Sequence, residues 1–156
     1  MQIKNTSIVD LCPLIEQLLP DRNIKLTIKG NSMYPLLRSN VDSVILTQVK
    51  KIKKYDLLFY KRDDGKFVIH RVVAFKNDAI CMAGDFETET EYPVYPHQAI
   101  ATVKSFYRGK HHISCNGLLY KTYSFLWVLL LPKRHFIIVL LKKLKQASSL
   151  KRWMPL

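Results

Sequence analysis

Phe67-Val68-Ile69-His70-Arg71-Val72-Val73-Ala74-Phe75, residues 67–75, is a run dominated by β-branched and aromatic side chains. Such residues suit a pleated, half-buried surface, so the run is expected to form a strand. A period of two puts Val68, His70 and Val72 on one face, which places the imidazole among apolar neighbours on a partly buried side. Just upstream, Asp63-Asp64-Gly65 is a hairpin turn signal whose glycine tolerates positive φ. The partner strand is then Leu57-Leu58-Phe59-Tyr60.

Working outward, residues 79–82 and 100–107 are further strands, separated by an acidic, proline-containing loop over 85–96. Toward the N-terminus, Ile24, Leu26 and Ile28 alternate with Lys25, Thr27 and Lys29, and Val44-Ile45-Leu46 follows. Short strands separated by turns argue for a mainly β domain, a sandwich or barrel-like sheet. Residues 7–19 instead place Ile8, Leu11, Leu14, Ile15, Leu18 and Leu19 on one helical face. Ser7 is placed to cap this amphipathic helix, Pro13 distorts its early turns and Pro20 ends it. The expected organisation is a helix packing on the core over 1–22, a β-domain over 23–110 and a basic, apolar helical segment over 111–156.

That last segment follows Gly117. Residues 118–131 are strongly apolar with one interruption at Lys121; Pro132-Lys133-Arg134-His135 breaks the pattern, and 136–144 resumes it. Neither run reaches the roughly 20 residues of a spanning helix. Two short helices in a membrane interface are expected, with Trp127 and Trp153 at headgroup level.

Charge is distributed to match. Residues 1–91 hold 14 Lys or Arg and all 12 acids, a net +2, whereas residues 92–156 hold 11 Lys or Arg and no acid, a net +11. A cationic, greasy segment is expected to meet an anionic membrane surface through residues 118–156 rather than nucleic acid. The length of 156 residues and an apolar fraction of 48% describe one folded domain, not a disordered chain. Cys12, Cys81 and Cys115 are odd in number and have no framework spacing, so they read as reduced thiols. No secretory signal peptide is visible, because Asp10 and Glu16 interrupt the N-terminal apolar pattern. The expected location is the cytoplasm or the cytoplasmic face of a membrane.

Two side chains carry a candidate chemistry. Gly30-Asn31-Ser32-Met33-Tyr34-Pro35 puts a serine on a turn that Gly30 sharpens and Pro35 stiffens. A serine hydroxyl becomes a useful nucleophile once a nearby base takes its proton. His70 suits that task, since an unperturbed imidazole titrates near neutral pH. His111-His112 and Cys115 are too few for a zinc site without a second ligand pair, so no metal and no cofactor is expected.

The turn around Ser32 resembles the nucleophile box of signal peptidase I and its relatives. Asn40-Val41-Asp42-Ser43-Val44 and Tyr55-Asp56-Leu57-Leu58-Phe59 are similar to the segments that follow that box. Ile69-His70-Arg71-Val72-Val73 matches the box of the general base, and Gly84-Asp85 is like the late Gly-Asp box. In order and spacing, residues 24–108 resemble the signal peptidase I and LexA-like serine peptidase group. The resemblance implies that β-fold, with an N-terminal amphipathic helix and short C-terminal helices. It also implies a serine endopeptidase that removes a leader or signal-like segment from a protein or peptide precursor. Ser32 is then the nucleophile and His70 the base, where bacterial members usually carry lysine. Glu91 falls nearest the acid that assists histidine in the His-type members, and Asp85 is the other choice. The Ser32 N–H is the implied oxyanion donor, and Asn31 and Met33 belong to the oxyanion and substrate groove. Gly30 stands where many members add a serine hydroxyl. No membrane anchor precedes Ser32 in the sequence, which places the expected activity on the cytoplasmic side. The competing expectation is a non-catalytic basic module that binds membrane or nucleic acid on a degenerate peptidase fold.

Overall fold

The computed structural model of the chain describes residues 8–151, with side-chain environments for residues 12–143. Within them the protein is mainly β. In chain order it comprises α1 (Ile8–Leu18), β1 (Ile24–Thr27), β2 (Ser43–Gln48), β3 (Leu57–Lys61), β4 (Phe67–Lys76), β5 (Ala79–Ala83), β6 (Glu91–Val94), β7 (Ala99–Arg108), β8 (His111–Ser114), α2 (Leu118–Leu129) and α3 (Arg134–Lys151). Ser7 and Trp153 lie outside the described residues. The eight strands form one antiparallel sheet in the order β1-β2-β7-β3-β4-β5-β6, with β8 added to β7.

The β3–β4 hairpin turns where its sequence asks it to. Gly65 takes φ +81°, a region open to glycine at little cost. The Arg62 and Lys66 backbones close the turn with a 2.9 Å hydrogen bond from the Arg62 N–H to the Lys66 carbonyl. The register that follows sets Leu58 opposite His70 and Tyr60 opposite Val68. Asn77 and Asp78, both at positive φ, make the equally tight turn from β4 to β5.

Strand β3 is buried on both faces. Leu57 and Phe59 enter one core cluster with Cys12 and Ile15 of α1, Met33, Leu37, Val44 and Phe106. Leu58 and Tyr60 enter a second with Val72, Ile80, Met82 and Val94. His70 shares the second face. The amphipathic N-terminal helix therefore docks on the first cluster, and Pro13 is accommodated inside it.

Three segments differ from the sequence expectation. The loop expected over 85–96 contains β6, paired with β5 through Ile80–Val94 and Met82–Glu91. Burial of Val94 in the second cluster draws it in, and Pro93 is tolerated because β6 is an edge strand. Residues 111–114, expected in the helical segment, instead turn back at Gly109 (φ +62°) and add β8 to the sheet. The last helix starts at Arg134, after a single 3-10 turn over Leu131–Lys133, and is longer than the apolar run predicted.

Candidate active site

Ser32 sits in the connection between β1 and β2, and that connection is tied at its base. The Ile28 N–H donates to the Asp42 carbonyl and the Asn40 N–H to the Ile28 carbonyl. The buried Asp42 carboxylate accepts from the Arg38 amide and guanidinium and from the Gly109 N–H at 3.0 Å. These donors and the Arg38 charge hold its pKa below the usual carboxylate range against the opposing effect of burial. Gly30 at φ +93° then swings the chain outward, while Met33, Leu36 and Leu37 bury in the first cluster. Ser32 is left half-buried between a left-handed glycine and a fixed apolar anchor.

The turn after β5 receives it. The Phe86 N–H donates to the Ser32 carbonyl at 2.7 Å. A Cβ on Gly84 would lie 2.7 Å from that carbonyl oxygen and 2.9 Å from the Glu87 carboxyl group. Only glycine permits this approach. Arg71 pairs with Ala83, the last residue of β5, so Gly84 opens the turn directly beyond the ladder. The Glu87 carboxylate links the two sites: it lies against the same Gly84 position as the Ser32 carbonyl and faces the His70 ring. Glu87 Oε1 is 3.7 Å from His70 Nε2, and Glu87 Oε2 accepts from the Gly84 N–H at 3.2 Å.

The other ring nitrogen is oriented by a relay. The Tyr60 hydroxyl donates to Glu91 Oε2 at 2.7 Å and lies 3.2 Å from His70 Nδ1. With its proton committed to the carboxylate, the Tyr60 oxygen acts as acceptor toward the ring, which assigns a proton to Nδ1 and leaves the Nε2 lone pair free. Glu91 Oε2 is also 3.7 Å from Nδ1, and Arg62 holds that carboxylate from the far side at 2.7 Å. His70 is 1% exposed. Its pKa is lowered, first by burial and then by Arg62, although Glu87, Glu91 and Asp85 push it up. A neutral imidazole with a bare Nε2 is the state a general base requires.

Asp85 has a different task. Its carboxylate is fully buried in a bidentate pair with Arg71, at 2.9 and 2.7 Å, and also accepts from the Tyr123 hydroxyl. Arg71 donates in addition to Tyr120 and Ser124 of α2. Arg134, at the start of α3, donates to the Gly84 carbonyl at 2.9 Å and to the Trp127 carbonyl. The two C-terminal helices therefore clamp the turn that meets Ser32.

The structure brings the Ser32 main chain to the Gly84–Glu87 turn, sets Glu87 and Glu91 against the two nitrogens of His70, and commits Asp85 to Arg71. Asn31 is exposed, and the Met33 side chain is buried in the first core cluster. Among the described residues, the Ser32 and Met33 amides donate no hydrogen bond, and the Ser32 hydroxyl makes none, to His70 or elsewhere. Beside the Gly84–Glu87 turn opens a cleft of about 670 Å³ lined by Phe86, Glu87, Glu91 and Arg62 and by Ile138, Val139 and Lys142 of α3. Cys115, pushed up to about 12 by burial, and Cys12, pushed up to about 11, are inert thiols away from it. His111 and His112 lie exposed on β8, where His112 packs on Tyr107.

Sequence reasoning missed Tyr60, Arg62, Glu87 and the Arg71 and Arg134 clamp. Tyr60 was within reach, because the Asp63-Asp64-Gly65 turn fixes the β3–β4 register and sets it diagonally beside His70 on the same face. No family model, curated protein or solved structure gives a significant match to the chain.

Proposed function

We propose that the chain is a serine endopeptidase of signal peptidase I type, with a variant of that β-fold, which removes a leader or signal-like segment from a peptide or protein precursor. The observation that carries this reading is that the Ser32 carbonyl and the Glu87 carboxylate both crowd the Cβ position of Gly84, while Glu87 Oε1 lies 3.7 Å from Nε2 of the buried His70. In the proposed reaction the Ser32 hydroxyl turns to Nε2, gives up its proton and attacks the peptide carbonyl. This turn requires the Glu87 carboxylate to move toward solvent; its side chain is 39% exposed. The imidazolium is steadied through Nδ1 by Tyr60 and Glu91, then protonates the leaving amine. The Ser32 and Met33 amides, which donate no hydrogen bond among the described residues, are the proposed oxyanion donors.

A serine-directed acylating probe tests this without knowledge of the substrate. Intact mass should rise by one adduct mapped to Ser32, and Ser32→Ala and His70→Ala should each abolish labelling while keeping wild-type circular dichroism. Full labelling of His70→Ala would sink the mechanism. The alternative, a non-catalytic module on a degenerate peptidase fold, draws on the missing Ser32–His70 hydrogen bond. It predicts no adduct in the wild type at any pH.

A further inference from the structure

The bent pair of helices α2 and α3 has two unlike faces. Inward, Tyr120, Ser124 and Arg134 are buried against the Gly84–Glu87 turn and the Arg71–Asp85 pair. Outward, Leu118 is 80% exposed, Leu119 88%, Leu129 64% and Phe136 76%. On α2, Leu118, Phe125 and Leu129 fall at spacings of seven and four, so they share one stripe. Large apolar side chains gathered on an exposed face mark an interface.

Charge selects the occupant. Residues 92–156 carry 11 Lys or Arg and no acid. Lys121, Lys133, Lys142 and Lys143 are exposed on the same helix pair as the leucines. A second copy would set cation against cation, and nucleic acid offers no apolar layer for the leucines. An anionic bilayer offers both a hydrocarbon boundary and a negative surface. Among the described residues no single helix is long and apolar enough to cross a membrane; α2 and residues 131–143 reach that length only as a pair bent by 60° at the break, and the exposed lysines along the pair favour the interface over the hydrocarbon core.

We infer that the bent α2–α3 helix pair docks in the interfacial layer of an anionic lipid bilayer. Because α3 also supplies Ile138, Val139 and Lys142 to the cleft wall, docking holds that cleft at the membrane surface. The inference stands apart from the chemistry of Ser32, since partition is read without cleavage.

Co-sedimentation of the full chain with vesicles tests it. Vesicles of phosphatidylcholine with phosphatidylglycerol should retain the protein, and pure phosphatidylcholine should retain about tenfold less. Leu129→Glu with Phe136→Glu, both at exposed positions, should cut partition by about tenfold or more. Raised salt should release the wild type, a readout that needs no variant. Equal partition of the double variant and the wild type would overturn the inference, as would no binding to the anionic vesicles. A dimer abolished by Leu129→Glu would overturn it by assigning the face to a second copy. DNA binding unaffected by Phe136→Glu, without vesicle binding, would overturn it by assigning the cations to nucleic acid.

Discussion

Two arginine–carboxylate pairs bracket His70, and burial alone makes them different devices. Arg71 and Asp85 are both 0% exposed and bonded through two parallel contacts, with Tyr120, Tyr123 and Ser124 filling the remaining sites. Arg62 and Glu91 are 28% and 27% exposed, and their pair ends on the Tyr60 hydroxyl and through it on Nδ1. The first pair is sealed from solvent with its partners in place, so it behaves as a rivet between the sheet and α2. The second exchanges with solvent and touches the ring, so it behaves as a regulator of the base. Identical chemistry thus yields a structural element on one face of β4 and a tuning element on the other.

The largest expected effect comes from breaking the rivet. Arg71→Met leaves a buried carboxylate and Asp85→Asn a buried guanidinium, and each should cost about 3–5 kcal/mol in denaturant unfolding. The double variant should recover part of that loss, because no uncompensated charge remains. A cost of about 1 kcal/mol or less, the range of exposed pairs, would erase the distinction between the two pairs.

The next effect is on protons. The folded-state pKa of His70 lies below its ordinary 6.5, so below pH 6.5 the unfolded chain binds a proton that the native state refuses. Stability therefore falls as the pH drops from 6.5 toward the native pKa, and His70→Asn should flatten that part of the profile. Labelling of Ser32 needs the neutral ring, so its rate should fall as the pH drops through that same lowered pKa. Glu87 is the strongest of the charges that raise it. Glu87→Gln should then move the acid limb of the labelling profile to lower pH. A limb that stays in place would show that Glu87 does not face the ring in solution.

Much of this frame was legible because local rules govern it. The β4 run, the Asp63-Asp64-Gly65 turn and the β3 partner each declare themselves within a few residues, and together they fix the register that carries His70. The edge strands were hidden for the opposite reason. Glu91–Val94 looks like an acidic loop until β5 offers it an edge and the second cluster takes Val94. The acids were illegible in the same way. Asp85, Glu87, Glu89 and Glu91 alternate in sequence, and only the close approach of Ser32 to Gly84 sorts them. That approach faces Glu87 to Nε2, leaves Glu91 to Nδ1 and turns Asp85 toward Arg71. Arg71 itself read as a strand neighbour of His70. Its partners Tyr120 and Ser124 lie about 50 residues on, one helical turn apart, and no local signal links them.

The smallest effect separates the two pairs most sharply. Arg62→Gln removes a partly exposed partner, so its cost to stability should stay at about 1 kcal/mol or less. Its effect on the base should nonetheless be visible, because the Arg62 cation is second only to burial in lowering the His70 pKa. Without it the native pKa rises, and Glu91, freed of its counter-charge, pulls the same way. The acid limb of Ser32 labelling should therefore move to higher pH, opposite in sign to Glu87→Gln. Two substitutions of near-neutral stability that shift one profile in opposite directions can act only through a titrating group between them. If both moved it the same way, the Tyr60–Glu91–Arg62 relay would be surface decoration rather than a control on His70.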